Sequence, residues 1–314
     1  MSSEPSASSA FLPLCADSNP FAEQGNWYKG NLHVHTTVSD GEHSPQATVD
    51  LYAQAGYDFL AISDHERLTD PEELDGRGMA LLPAVEFGGG RASLGQVYHL
   101  LAVGMRGPAQ PLDAGSSQEA VDQARAQAEL VFIAHPYWCS LTPDDLTAVE
   151  GYDGIEVYNA TCERGIGRGH SEPHWDCALN RGWLLTGIAV DDAHFHYWDA
   201  LGGWIHVKAP HLDRRVLLDA IKRGWFYASS GPEIKNIAFD GDLVRVQCSP
   251  AASVALVVPS PGRGWTTDRL RDGGERPLMT EAELPLAAAR EGIFRIEVAD
   301  ERGRRAWSNP YRLQ

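Results

Sequence analysis

Short apolar runs recur between residues 57 and 196, separated by polar or amphipathic stretches. "YDFLAISDHE" (57–66), "ALLPAVEF" (80–87), "LVFIAHP" (130–136), "GIEVYN" (154–159) and "WLLTGIAVDDAHFH" (183–196) each contain a run of strand length with too little alternation for one solvated face. Between them lie segments such as "PQATVDLYAQAG" (45–56) and "SQEAVDQARAQAEL" (117–130). The second is built from strong helix formers, and the glycine in "QAGY" marks a helix end. Buried strands alternating with helices predict an α/β fold of parallel strands and helical crossovers. In such folds ligands bind where the C-terminal ends of the strands open.

The residues that end these runs change the picture. Asp64 and His65 close one, Glu86 another, His135 a third, and Asp191, Asp192, His194 and His196 the last, while Glu156 lies inside "GIEVYN". Earlier, "NLHVHTTVSDGEHS" (31–44) sets His33 and His35 two apart. On a strand both imidazoles face one space, with Asp40 on the loop that follows. A lone His-x-His is as readily an ordinary surface strand. Acids and imidazoles closing run after run are another matter, since apolar strands seldom end that way without a task. Neutral imidazoles mixed with carboxylates suit Zn, Mn or Fe, whereas an all-oxygen set suits Mg or Ca. The pattern predicts a metal site.

Composition bounds the rest. A chain of 314 residues is long for one domain, so one large and one small domain are expected. With 43% hydrophobic and 9% aromatic residues it can build a real core. A formal charge of −17 argues against a nucleic-acid partner. Small anionic substrates stay open, provided that cations line the site. The first 25 residues show neither a basic start nor the apolar core of a signal peptide, and no run reaches membrane-spanning length, so no membrane partner is expected. Cys15, Cys139, Cys162, Cys177 and Cys248 are scattered without a C-x-x-C pair, which fits a reducing, cytoplasmic setting.

After residue 230 the texture turns to β. "DLVRVQC", "SVALVVP" and the strict alternation of "FRIEV" predict strands with one solvated face, forming a small C-terminal β-sandwich. It holds no cluster of ligand types. It would pack on the main domain or pair subunits in a homo-oligomer.

Taken in order, His33-x-His35, Asp40, "SDH" (63–65), "VEF" with Glu86, "YHLLAVG" with His99, "AHP" with His135, and "DDAH" with Asp192 and His194 resemble the PHP superfamily. That superfamily is named for its polymerase-associated and histidinol-phosphatase members. The resemblance spans about residues 29–230. It implies a distorted (β/α)7 barrel over 29–232, after a flexible segment 1–28 and before a β-rich domain 233–314. It also implies two or three divalent ions (Mn, Fe or Zn). One would be held by His33, His35, Glu86 and Asp192. Glu86 would bridge to a second, held by His99 and His135. Asp40, His65 and His194 would hold a third. His99 rests on the resemblance alone, because it stands inside its apolar run. "GIAVDDAHFH", "GWFYASSGPEI" and "RRAWSNPYRL" resemble further the branch that includes carbaryl hydrolases.

The implied activity is metal-dependent hydrolysis of a small-molecule ester. Cations a few ångströms apart can share a water, bring its pKa toward neutrality and offset the developing oxyanion. Glu86, Asp192 and His194, with Arg67 and Arg164, are the expected catalytic groups. A phosphate ester also calls for fixed cations, which points to Arg67, and to Arg164, Arg168 and His170 in "TCERGIGRGHSEPHWD" (161–176). Lys208 and His174 are weaker candidates. Phosphate esters rank first; carbamate, carboxyl-ester or amide hydrolysis is the alternative, and a non-catalytic metal-binding module is the third reading. Asp64 and Asp191 are expected to orient ligand imidazoles.

Overall fold

The computed structural model describes residues 19–260, 263–268, 277–289 and 292–312. Cys15 and residues 1–18 of the expected flexible segment lie outside them. Seven strands follow one another as neighbours in the main sheet: β1 (Asn26–Asn31), β2 (Phe59–Ile62), β3 (Ala80–Gly89), β4 (Tyr98–Met105), β5 (Ala128–Ile133), β6 (Gly154–Asn159) and β7 (Thr186–Val190). They alternate with helices α1 (Pro45–Gln54), α2 (Ser117–Gln127), α3 (Pro143–Thr147), α4 (Ala160–Ile166) and α5 (Glu172–Asn180). The fold is mixed α/β, and the expected buried runs are its strands.

Local signals set the helix ends. Ser44 and Ser116 cap α1 and α2 by accepting hydrogen bonds from Ala47 N and Glu119 N. Asn159 caps α4 through Cys162 N, and α4 stops at Gly167, whose φ of +68° only glycine adopts without strain.

Two expectations are corrected. The first is strand direction. β1–β2, β2–β3, β5–β6 and β6–β7 pair in parallel, but β4 runs antiparallel to both β3 and β5. The link from Gly89 to Tyr98 is too short for the dozen or more residues of a parallel crossover, so the chain doubles back.

The second is closure. A (β/α)7 barrel needs β7 to return to β1. Instead β1 takes β8 (Trp204–Ala209) as its other neighbour, antiparallel, and β8 pairs with β9 (Phe226–Ser229). A strand has two edges, so β1 has none left for β7. The two ends meet only past their last residues, through an isolated Val34–Ala193 bridge with His35 N donating to Ala193 O and Asp192 N to His33 O, at 2.9 and 2.8 Å. The sheet is open, yet those two bonds bring the His33/His35 stretch beside Asp192 and His194.

The C-terminal strands form two layers around a shared core of Ile237, Val246, Leu256, Phe294 and Ile296. One layer is a separate antiparallel sheet of Ile234–Asp240, Leu243–Ala251 and Met279–Pro285. The other continues the main sheet, because Arg305–Ser308 pairs with β9. These layers therefore do not stand apart as a sandwich of their own. Helix α6 (Arg214–Lys222) packs on β8, and among the described residues no helix is long and apolar enough to cross a membrane.

Candidate metal centre

The C-terminal ends of the parallel strands carry most of the titratable residues, and antiparallel β4 brings His99 to the same edge from its N-terminal end. His33 and His35 leave β1, His65 follows β2, Glu86 lies in β3, His99 in β4, His135 follows β5, and Asp192 and His194 follow β7. Asp40 reaches over from the loop after His35. All nine gather into three groups, the first two sharing His35: His33, His35, Glu86 and Asp192; His35, Asp40, His65 and His194; and His99 and His135 with Cys139. Two of these residues strain the backbone. Asp192 has φ of +57° and His135 of +28°, conformations that cost a non-glycine residue roughly 1–3 kcal/mol and persist where surrounding structure enforces them.

The first group is the tightest. His33 Nε2 and His35 Nε2 lie 3.1 Å apart. Glu86 Oε2 is 3.2 and 3.3 Å from these two nitrogens, and Asp192 Oδ1 is 3.2 and 3.0 Å from them. A regular tetrahedron with edges equal to these five distances would have its corners about 2.0 Å from its centre, the length of a zinc–nitrogen or zinc–oxygen bond. Asp192 Oδ1 is buried and, despite these short contacts, has no partner in hydrogen-bonding geometry. Two facing imidazole nitrogens and two carboxylate oxygens need a proton or a cation among them. The residues fit a divalent transition-metal ion.

Glu86 joins this group to its neighbours. Its Oε1 is 2.8 Å from His99 Nδ1 and 3.1 Å from His135 Nε2, while Oε2 also lies 3.0 Å from His65 Nδ1. Asp40 is looser and half exposed, at 3.6, 3.6 and 3.5 Å from His35 Nδ1, His65 Nε2 and His194 Nε2.

Electrostatics say the same. Burial, the largest influence on His33, disfavours its charged form, but Asp192, Glu156 and Glu86 outweigh it and hold the pKa well above the ordinary histidine value. Burial of His35 is likewise overcome by Asp192 and Glu86, and its pKa rises to about 9. For Glu86 and Asp192 burial works to raise the pKa, yet the surrounding imidazoles drive both well below the usual carboxylate range. This cluster of carboxylates attracts positive charge strongly.

The groups behind the ligands are largely ones that sequence reasoning left unassigned. Glu156 Oε1 lies 2.6 Å from His33 Nδ1. The Asn159 amide donates to Glu156 Oε2 at 2.9 Å and to Asp192 Oδ2 at 3.1 Å. Cys139 Sγ is 3.3 Å from His135 Nδ1. A carboxylate within the apolar "GIEVYN" was the visible signal for Glu156; nothing local marked Asn159 or Cys139. Asp64 and Asp191, expected to orient imidazoles, hold loops instead. Asp191 accepts from Tyr52 Oη and from the backbone N–H groups of Leu201, Gly202 and Gly203. Asp64 accepts from Thr36, Ser39 and Thr69.

A cavity of about 390 Å³ opens above the ligands, with Trp138, Thr161, Cys162, Ile166 and Tyr197 on its wall. Among the described residues no arginine or lysine lines it. Arg67 donates at 3.4 Å to Val38 O. Arg164 donates to Trp198 O and Ala200 O. Arg168 donates to Ser140 Oγ and stacks over Tyr137. His170 faces Glu172, His174 faces Leu141 O, and Lys208 sits over Trp27. Cys162 is buried, and burial pushes its thiol pKa far up, which leaves it unreactive.

No protein-family model matches the chain, and no curated protein sequence matches it. Several solved structures are similar to it. One is a two-domain protein from Bacteroides vulgatus containing a predicted PHP-like metal-dependent phosphoesterase, 17% identical, covering 88% of this chain and 91% of that one, with a TM-score of 0.49. Another is a metal-dependent phosphoesterase, so described provisionally, from Bifidobacterium adolescentis, 16% identical over 62% of this chain and 96% of the other, TM-score 0.44. A third is an amidohydrolase from Chromobacterium violaceum with bound sulfate and no metal, 18% identical over 54% and 89%, TM-score 0.40.

Proposed function

We propose that this protein is a metal-dependent hydrolase and that the bond it cleaves is a phosphate ester. The observation that carries the proposal is Glu86, whose two oxygens face separate sets of imidazoles at 2.8–3.3 Å, so that cations in adjoining groups would share one carboxylate. His33, His35, Glu86 and Asp192 would hold one cation. Glu86, His99 and His135 would hold a second, and Asp40, His65 and His194 a third. Mn, Fe and Zn are the metals such a mixed donor set favours. When bound, divalent cations acidify water and neutralise the charge that grows on a phosphoryl oxygen.

The chain's own residues do the rest. Glu156 keeps a proton on His33 Nδ1, which leaves the Nε2 lone pair free for a cation. His194 Nδ1 is 2.8 Å from the Asp192 carbonyl oxygen, which fixes its ring and turns Nε2 toward Asp40 and the cavity. The wall of Trp138, Ile166 and Tyr197 keeps water away from one side of the substrate.

A second reading, hydrolysis of a carboxyl ester or carbamate, is favoured by the lack of arginine or lysine along the cavity among the described residues. Protein loaded separately with Mn, Fe and Zn distinguishes the two when assayed on p-nitrophenyl phosphate and on p-nitrophenyl acetate. The proposal expects chelator-sensitive turnover that is faster on the phosphate. Faster turnover of the acetate transfers the assignment to the second reading, and no metal-dependent turnover on either contradicts both.

A further inference from the structure

We infer that Arg305 is a positioning residue: from the C-terminal layers it holds the turn on which the α4 wall of the cavity rests. Its effect on turnover rests on the hydrolase reading; its hold on the wall does not. Two neighbouring strands of those layers, Ile293–Ala299 and Arg305–Ser308, present Arg295 and Arg305 to α5. Arg295 Nε and Nη2 donate to the two Asp176 oxygens at 3.0 and 3.1 Å. Arg305 Nη1 donates to Glu172 Oε1 at 3.2 Å. Glu172 and Asp176 stand four apart, so they share one face of α5. Glu297 ties the two arginines together, accepting from Arg295 Nη1 at 2.8 Å and lying 3.1 Å from Arg305 Nη1.

Glu172 passes this hold to the turn between α4 and α5. Its carboxylate can only accept, so His170 Nδ1 donates to it, 3.0 and 3.2 Å from its two oxygens. His170 forms an isolated antiparallel bridge with Tyr158, and Ser171 N donates to Val157 O at 2.9 Å. Asn159 N donates to Gly169 O at 3.0 Å. A Cβ at Gly169 would lie 2.3 Å from Asn159 O, so only glycine allows this approach. Gly169 N also donates to Glu163 Oε2 of α4 at 3.1 Å. The turn is thus pinned on one side to Arg305 and packed on the other against the end of β6 and α4. Trp307, fully buried on the strand of Arg305, stacks on Tyr158 with ring centroids 5.9 Å apart.

The turn supports α4, and α4 supports the site. Thr161, Cys162, Gly165 and Ile166 of that helix line the cavity, while its cap, Asn159, reaches Glu156 and Asp192. Glu172 is buried, and a buried carboxylate that loses a donor becomes costly to keep in place. Removing Arg305 should therefore loosen the turn and let α4 move relative to the cavity. Arg295 is the poorer probe, because it is 2% exposed and truncating a buried, paired charge endangers folding. Arg305 is 41% exposed, so its loss should be felt locally.

The test is hydrogen exchange of the full chain as purified, followed by kinetics of the metal-loaded protein. In Arg305→Ala the amides of Asn159, Arg168 and Ser171, all bonded within this turn or to it, should exchange about three- to tenfold faster. Those of α2 and β2, outside the network, should keep their rates. On whichever of p-nitrophenyl phosphate and p-nitrophenyl acetate is turned over, the variant should raise KM about three- to tenfold at nearly constant kcat and metal content. Arg305→Lys keeps a cation there and should restore exchange and KM toward wild type. Unchanged exchange at the three amides, equal acceleration in α2 and β2, or local loosening with KM unmoved overturns the inference. If wild type turns over neither ester, the hydrolase reading falls, and the exchange rates alone decide whether Arg305 holds the wall.

Discussion

His33 Nδ1 lies 2.6 Å from Glu156 Oε1, with both groups fully buried. A carboxylate can only accept, so Nδ1 keeps a proton, and it is the Nε2 proton, facing Glu86 and Asp192, that a cation would displace. Glu156 therefore fixes the tautomer that a cation requires. Glu156→Gln keeps the shape but can present its amide N–H to Nδ1 and reverse the tautomer. It should weaken binding of the tightest metal by about ten- to a hundredfold. Calorimetry with Zn or Mn checks this; unchanged affinity would remove Glu156 from the site.

Asn159 links three parts of the molecule. Its amide donates to Glu156 and Asp192, while its Oδ1 caps α4 through Cys162 N. Asn159→Ser keeps a capping oxygen but loses both donated bonds. Metal affinity should fall by about tenfold or more while the metal-free melting temperature changes little. Loss of stability at full metal affinity would mean that Asn159 serves only the helix.

Proton release should accompany metal binding. Without metal, burial of His35 is outweighed by Asp192 and Glu86, and its pKa stands at about 9. At neutral pH a cation must displace that proton, so metal affinity should fall as pH falls. The stability consequence has the opposite sense. A histidine raised in the folded state contributes its full stabilisation below pH 6.5 and loses it as pH rises through about 9. Melting curves of chelated protein should decline over that interval, and metal-loaded protein should not follow them.

Arg164 holds the 198–200 backbone by donating to Trp198 O and Ala200 O at 3.1 and 3.0 Å. Arg164→Ala should lower the melting temperature. It should also reduce turnover of p-nitrophenyl phosphate and a neutral p-nitrophenyl ester by the same factor. A loss of about ten- to a hundredfold confined to the phosphate would instead make Arg164 the phosphate contact expected from its loop.

Much of the site could be read from the sequence because His65, Glu86, His135, Asp192 and His194 close or adjoin apolar runs whose ends parallel strands bring together, while His33 and His35 stood out as a His-x-His pair. His99 is the second residue of β4, where antiparallel pairing sets it opposite Gly88 near the C-terminal end of β3, and spacing gave no reason to choose it. The direction of β4 was implicit in the short link after Gly89, but the helix-and-strand rhythm on either side suggested uniform crossovers. Closure failed for a reason outside the first two hundred residues: β8 competes for the edge of β1. Glu156 was visible as a carboxylate in an apolar strand, yet its partner stands 123 positions away, beyond any local pattern. Asp64 and Asp191 border ligands in sequence but face away from them, because successive side chains along an extended stretch diverge.

Metal content bears most directly on the account. Chelated protein should be reconstituted with Zn or Mn, freed of excess metal and analysed for its elements beside Glu86→Gln, whose neutral amide cannot offset two cations. Wild type should retain more than one ion per chain and up to three, one for each group of ligands, and Glu86→Gln should retain fewer. Less than one ion per wild-type chain, or equal content in the variant, would contradict a centre bridged by Glu86.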